Sequence, residues 1–273
     1  MAGSASIPYH RIASFRRTVL GFYAQHGRKL PWRVTKDPYR ITVSEIMLQQ
    51  TQVERVIPKF EAWIALWPDW RTLSTASTRE LLHAWSGLGY NRRALMLGKL
   101  AKAIMEKHHG KLPRQPEVLE ELPGIGPYTS RAILIFAFNQ DIATIDTNIR
   151  RVLLHQFDLP PTTTKEQLES LAQRLVPKGR SRDWHNGLMD YSRLALPRRL
   201  PRIPPVSKQG RFEGSARQVR GEVIRQLLKQ KTVDIFWLAG RIKRDKAEVL
   251  KIAKSMAREG VVRLKGRTIT LAE

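Results

Sequence analysis

Apolar residues along this chain return every three or four positions rather than every two, which predicts a protein built mostly of amphipathic helices. The first covers about residues 9–27, with Ile12, Phe15, Val19, Leu20, Phe22 and Tyr23 on one face and Gly27 at its end. Thr42 and Glu45 then stand three apart ahead of Ile46, Met47 and Leu48, the spacing of an N-terminal capping box. That helix runs toward Pro58 and a second covers Lys59–Leu66, because a proline inside a helical pattern predicts a break. Others cover 77–86 and 92–107, with the glycine-flanked turn Gly87-Leu88-Gly89-Tyr90 between them. His108 and His109 close the last of these. Neighbours on a helix end face different ways, so this pair suits the negative end of the dipole and no metal is assigned.

Ala132–Phe138 is apolar on nearly every side and predicts a buried helix. Ahead of it stands Leu122-Pro123-Gly124-Ile125-Gly126, a glycine turn able to aim backbone N–H groups at a phosphate. Behind it, Asp146 and Asn148 precede the helix beginning at Ile149, so Asp146 reads as an N-cap, a catalytic carboxylate, or both. Helices over 164–175 and from Trp184 onward, the latter carrying Asp190, complete this part.

Closely spaced prolines over 197–205 predict an extended basic connector. Beyond it the pattern gives helices over 215–230, 233–242 and 246–259. Alternation from Val261 to Leu271 across Lys265-Gly266-Arg267 then predicts a hairpin. Three helices and a basic hairpin describe a winged helix, here serving either DNA or a protein partner. The chain thus divides into 1–197 with its glycine hairpin near 122–128, a connector over 198–214, and a C-terminal domain over 215–273.

Composition sharpens this picture. Among 273 residues, 48 Lys+Arg face 24 Asp+Glu for a net +24, and residues 198–273 hold 20 of the former and 7 of the latter. Such a surface is either simply solvated or made for a polyanion, and nucleic acid leads that second class. There is no cysteine, hence no disulfide and no thiolate metal site. The longest apolar run is too short for a membrane span and the first residues lack a signal-peptide core, so a cytoplasmic, nucleoid-associated monomer is expected. Trp32 beside Arg33 could stack on a base and bond its edge, or Trp32 could fill the core; Tyr90, at its turn, has the same two readings. Gln49 and Gln50 could reach base edges in a groove.

Leu30-Pro31-Trp32-Arg33, the segment Ser44–Val53, Gly87–Tyr90, the segment Leu122–Ile133 and Ile145–Asn148, in this order, resemble the helix-hairpin-helix (HhH-GPD) DNA glycosylase superfamily. Within it they look most like the adenine-removing MutY branch, over about residues 9–196. The resemblance implies an all-α, two-lobed glycosylase fold, followed here by the small α+β winged helix. It implies double-stranded DNA with a mismatch or damaged base as partner, and a base flipped out for hydrolysis of its glycosidic bond. On this chain Glu45 matches the acid that protonates the base, and Asp146 the carboxylate that stabilises the sugar cation, with Asn148 assisting. Tyr128 stands where bifunctional relatives carry an imine-forming lysine, which implies a monofunctional enzyme. Trp32, Arg33 and Asp190 would line the base pocket, and Gln49, Gln50 and Tyr90 would enter the duplex. Leu122, Gly124, Ile125 and Gly126 would grip a phosphate, and a monovalent cation on the hairpin carbonyls would be compatible with the family.

Two departures stand out. The family's iron–sulfur cysteines, laid on this chain, fall on Leu196, Ile203, Val206 and Phe212, so no cluster is expected, and apolar packing of these four is expected to clamp the connector instead. The NUDIX-like domain that usually reads 8-oxoguanine is replaced by the shorter winged-helix segment. Three functions follow: removal of adenine opposite 8-oxoguanine or guanine, removal of thymine, uracil or another modified base, or DNA binding without catalysis.

Overall fold

The computed structural model describes residues 7–197, 203 and 210–272. In chain order its elements are α1 (Tyr9–His26), α2 (Pro38–Leu48), α3 (Val53–Leu66), α4 (Trp70–Ser74), α5 (Thr78–Ala84), α6 (Arg92–His108), α7 (Pro116–Glu120), α8 (Pro127–Phe138) and α9 (Thr147–Gln156). Then come α10 (Lys165–Leu175), α11 (Ser181–Leu194), α12 (Ala216–Lys229), β1 (Val233–Asp234), α13 (Ile235–Arg241), α14 (Lys246–Arg258), β2 (Val262–Lys265) and β3 (Thr268–Leu271). The chain folds as two units, one of Met1–Ile41, Arg114–Glu120 and Ile125–Lys208, the other of Thr42–Pro113, Glu121–Gly124 and Gln209–Glu273. Among the described residues no helix is long and apolar enough to cross a membrane.

In the first unit α1 lies along α11, which also packs on α9 and α8. Its core holds Ile12, Phe15 and Val19 from α1, Ile149, Val152 and Leu153 from α9, and Trp184 and Leu188 from α11. Gly187, inside α11, marks the close approach: a Cβ there would sit 3.0 Å from Val19 and 3.2 Å from Tyr23. A helix-interior glycine costs about 1 kcal/mol relative to alanine, and here the close approach of α1 explains it. α11 begins at Ser181, three residues earlier than the sequence pattern predicts.

In the second unit two sequence expectations fail for clear reasons. Helix α2 begins at Pro38, where a fixed φ suits the first helical position, and the Asp37 carboxylate accepts the Tyr39 N–H at 2.9 Å. Thr42 and Glu45 are therefore in the helix interior and form no capping box. Nor does one helix run on to a stop at Pro58, since α2 ends at Leu48 and α3 starts at Val53, ahead of that proline. α3 runs through it, with Val56, Phe60 and Trp63 buried on one face, and that packing outweighs a cost of about 3 kcal/mol.

The C-terminal segment belongs to this second unit. Val219, Val223, Ile224 and Leu227 of α12 share one core with Leu82, Leu95, Ile235, Leu238, Ile252 and Ile269. Arg79 donates to the Leu227 and Leu228 carbonyls at 2.9 and 3.1 Å, satisfying the C-terminal end of α12. The hairpin is present, and β1, expected as the start of a helix, adds to it in an antiparallel sheet of order β1-β3-β2. Asp234 ends β1 and caps α13 through the Phe236 and Trp237 N–H groups, which is why strand passes so abruptly into helix.

The apolar clamp of the connector is corrected in part. Leu196 is buried and Ile203 packs against the first core, and Val206 lies outside the described residues. Phe212, however, is 60% exposed. Its carbonyl accepts Ser215 Oγ at 2.6 Å in the turn that starts α12.

Candidate active site

The first unit carries Asp146, Asn148, Tyr128 and the second half of the glycine hairpin. Asp146 is the N-cap of α9: its carboxylate accepts the Ile149 N–H at 2.7 Å and the Asn148 amide at 2.9 Å. Burial pushes its carboxyl above the usual aspartate range, more strongly than these hydrogen bonds pull it down. Asn148 thus orients the carboxylate directly. The segment leading to it is held by His185 of α11, whose Nδ1 donates to the Ser181 carbonyl at 2.7 Å. Burial lowers His185 to about 4, so the ring is neutral and its Nε2 accepts the Thr144 N–H at 3.4 Å.

Tyr128, half-buried, is the second residue of α8, behind Gly126 at the N-cap and Pro127 at the first helical position. Ile125 is 5% exposed, so the hairpin offers its main chain outward and not this side chain. A twelve-residue helix whose positive end is fronted by glycine is suited to an anion.

Asp190 is fully buried and spoken for. Arg33 meets it at 2.6 and 3.2 Å, and Arg28 adds its side chain at 2.5 Å and its backbone N–H at 2.9 Å. Burial alone would raise this carboxyl; the two arginines outweigh it and hold it below the usual range. Trp32 is buried at 7% exposure. Arg33, with Tyr23, Arg28, Lys29 and Arg180, lines an open cavity of about 370 Å³ whose lining does not include Trp32 or Asp190.

The second unit carries the remaining candidates. Glu45 sits in the eighth position of α2, 9% exposed, between fully buried Ser44 and Ile46. With the capping role gone, a carboxylate buried inside a helix calls for another reason to be there. Gln49 and Gln50 leave that helix in a turn where Gln50 takes φ 55°, and Tyr90 takes φ 48° after Gly87 at 94° and Gly89 at 74°. Gln50 is exposed and Tyr90 is 40% exposed. Leu122 is buried, and Gly124, at φ 80°, has Met96 Cβ only 2.8 Å from where a side chain would begin. Glycine is required there on both counts.

Arg93 and Arg28 are tied to these candidates by hydrogen bonds that the sequence pattern does not single out. Arg93 donates to the Ile46, Met47 and Gln49 carbonyls at 2.9, 2.9 and 2.6 Å, across more than forty residues of chain. Burial brings its guanidinium down to about 10. Nothing in an Asn91-Arg92-Arg93 run distinguishes one arginine from the other. Among the described residues no cluster of three or more His, Cys, Asp or Glu could hold a metal ion.

With this geometry, the comparisons are specific. A family model described as "HhH-GPD superfamily base excision DNA repair protein" matches residues 43–178. The adenine DNA glycosylase of Mycolicibacterium smegmatis is 35% identical over 257 residues, covering 84% of this chain and 87% of that protein. The chain belongs to the HhH-GPD superfamily. The adenine DNA glycosylase of Rattus norvegicus is 38% identical over 202 residues, 67% of this chain but 39% of the rat protein. Among solved structures, a thermostable thymine-DNA glycosylase is 31% identical with TM-score 0.64, covering 69% of this chain and 89% of that one. The matched region of this HhH-GPD chain contains Glu45, Tyr90, the hairpin, Tyr128 and Asp146, and ends before the connector. The family's thiolate-held iron–sulfur cluster does not fit the residues present, since the chain has no cysteine and hydrocarbon side chains cannot ligate iron.

Proposed function

We propose that this chain is a monofunctional DNA glycosylase that removes adenine mispaired with 8-oxoguanine or guanine. The observation that carries the reading is Glu45: a carboxylate buried inside α2 with no capping duty, at the position of the family's acid. Adenine departs poorly as an anion, so Glu45 protonates the flipped base as the glycosidic bond breaks. Positive charge then develops on the sugar. Asp146, oriented by Asn148, stabilises it, and water completes hydrolysis to an abasic site. Tyr128 cannot form an imine, so no strand-cleaving covalent intermediate follows.

The supporting parts are the exposed Gln50 and Tyr90, with Gln49 beside them, as the wedge in the duplex and the Leu122–Gly126 hairpin main chain as a phosphate grip. Arg33, with Trp32 and Asp190 behind it, borders the base pocket. We read residues 1–197 as the glycosylase domain, 198–214 as connector and 215–273 as a winged-helix-like DNA-binding module. Lys251, Lys254 and Arg258 lie exposed at positions i, i+3 and i+7 of α14, a basic stripe about 10 Å long that suits a phosphate backbone.

A second reading, excision of thymine or uracil, is favoured by the likeness to the thymine-DNA glycosylase. The deciding experiment incubates the protein with duplexes carrying A, T or U against each opposite base and cleaves the products with alkali. Cleavage at adenine opposite 8-oxoguanine or guanine is expected; cleavage at T or U alone selects the second reading, and tight binding without cleavage a non-catalytic role. Borohydride should trap no protein–DNA adduct, and a trapped adduct would overturn the monofunctional assignment.

A further inference from the structure

The two turns that carry Gln50 and Tyr90 are separate in sequence, and one side chain joins them. The Arg93 guanidinium reaches the Ile46 and Met47 carbonyls at the end of α2, the Gln49 carbonyl just past it, and Thr51 Oγ1 at 3.1 Å. Its second amino group also donates to the Leu88 and Gly89 carbonyls at 3.3 and 3.1 Å. The cation lies over the Trp85 and Tyr90 rings, 5.2 and 5.6 Å from their centroids, and the Trp85 indole N–H meets the same Gly89 carbonyl at 3.0 Å. Arg55, at the start of α3, adds a separate tie to Gly87.

Three features say this is more than a generic core contact. Gln50 and Tyr90 both adopt left-handed backbone conformations that L-residues other than glycine visit rarely, so something must hold them there. Five of the six acceptors are backbone carbonyls at helix and turn ends, which need donors and which the two amino groups of a planar guanidinium can serve together. Arg93 Nε is also buried with no hydrogen-bond acceptor among the described residues, so the guanidinium is held by its two amino groups and by the rings beneath it.

We propose that Arg93 is a positioning residue that locks the Gln50 turn to the Gly87–Tyr90 turn, so that the two side chains enter the duplex as one wedge. The proposal rests on the glycosylase reading above. It places Arg93 in the extrusion of the base and outside the bond-breaking step, which belongs to Glu45 and Asp146. Lysine keeps the charge but, as a single ammonium, cannot span six acceptors in two turns.

The test compares wild type with Arg93→Lys in single-turnover excision of adenine from a paired duplex and of adenine placed opposite an abasic gap, where little unpairing is needed. 2-Aminopurine at the target position reports extrusion by its fluorescence. The expected result is a loss of about 10- to 100-fold on the paired duplex with a parallel loss of fluorescence change. The gapped substrate should stay within about threefold of wild type. Equal losses on both substrates, or an unchanged fluorescence response, would overturn the proposal. Should Arg93→Lys fail to fold, Gln50→Ala and Tyr90→Ala, singly and together, form a cycle that leaves Arg93 in place. A wedge acting as one unit predicts that the double variant loses little more than the worse single one, and independent multiplication of the two losses rejects it. A wild type that neither excises nor extrudes any base overturns the glycosylase reading and this inference together, whereas extrusion retained in the variant overturns only this one.

Discussion

Two aspartates of the first unit, Asp146 and Asp190, differ in how their surroundings answer the charge of a carboxylate. Asp190 is fully buried and holds Arg28 and Arg33, so its charge is matched at 2.5 and 2.6 Å and its carboxyl stays low. Asp146 accepts backbone N–H groups and the Asn148 amide, all neutral, and burial pushes its carboxyl up. A carboxylate whose charge is already answered by two guanidiniums has little left for a developing cation. One met only by dipoles keeps its field for the transition state. The difference teaches that burial alone does not set a carboxylate's charge balance; the sign of its partners does.

The strongest way to break that comparison is Asp146→Asn. Asparagine is about as good an N-cap as aspartate, so α9 should hold and the melting temperature should barely move. Excision should fall by about a thousandfold while DNA affinity changes little. Glu45→Gln should lose about 10²- to 10⁴-fold in the same assay with folding intact. If Asp146→Asn keeps full activity, Asp146 is only a cap and the contrast with Asp190 has no functional meaning.

Asp190→Asn should do the opposite. It leaves two arginines facing a neutral amide in a buried site, which predicts a loss of about 3–5 kcal/mol in urea denaturation. Activity per folded molecule should stay within about tenfold of wild type, since no reacting charge is removed. A variant that melts like wild type but no longer excises would instead place Asp190 against the base itself.

These contrasts were unevenly legible beforehand. The glycine hairpin, the buried helix behind it and the Asp146 cap could be read from the chain, because each rests on neighbours within a few positions: glycines before an apolar run, or an aspartate three residues before its N–H donor. The fate of Asp190 could not. Its partners lie 157 and 162 positions away, and a non-local ion pair leaves no period in a sequence. The same holds for Arg93 and the carbonyls of α2. The capping alternative for Glu45 fails for a different reason: the Thr42–Glu45 spacing is a sound capping signal, but Asp37 and Pro38 supply a start one turn earlier, and that leaves Glu45 inside the helix as a buried acid.

His185 sharpens the comparison at a smaller scale, as a third buried titratable group of the same unit that meets only polar neutral partners. Its folded pKa of about 4 lies below the ordinary 6.5, so the folded state refuses a proton that the unfolded chain accepts. Stability is therefore intact above 6.5, falls as the pH drops from 6.5 toward 4, and loses nothing further from this group below that. The window corresponds to about 3 kcal/mol. Carboxylates also titrate there, so the quantity to measure is the difference between wild type and His185→Gln in urea midpoints across pH 4 to 7. Glutamine neither titrates in that range nor lacks hydrogen-bonding groups for Ser181 and Thr144. The variant should show the shallower pH dependence of stability. Parallel stability curves for the two proteins would mean that the ring is not held neutral, and that Asp146 stands without the support described for it.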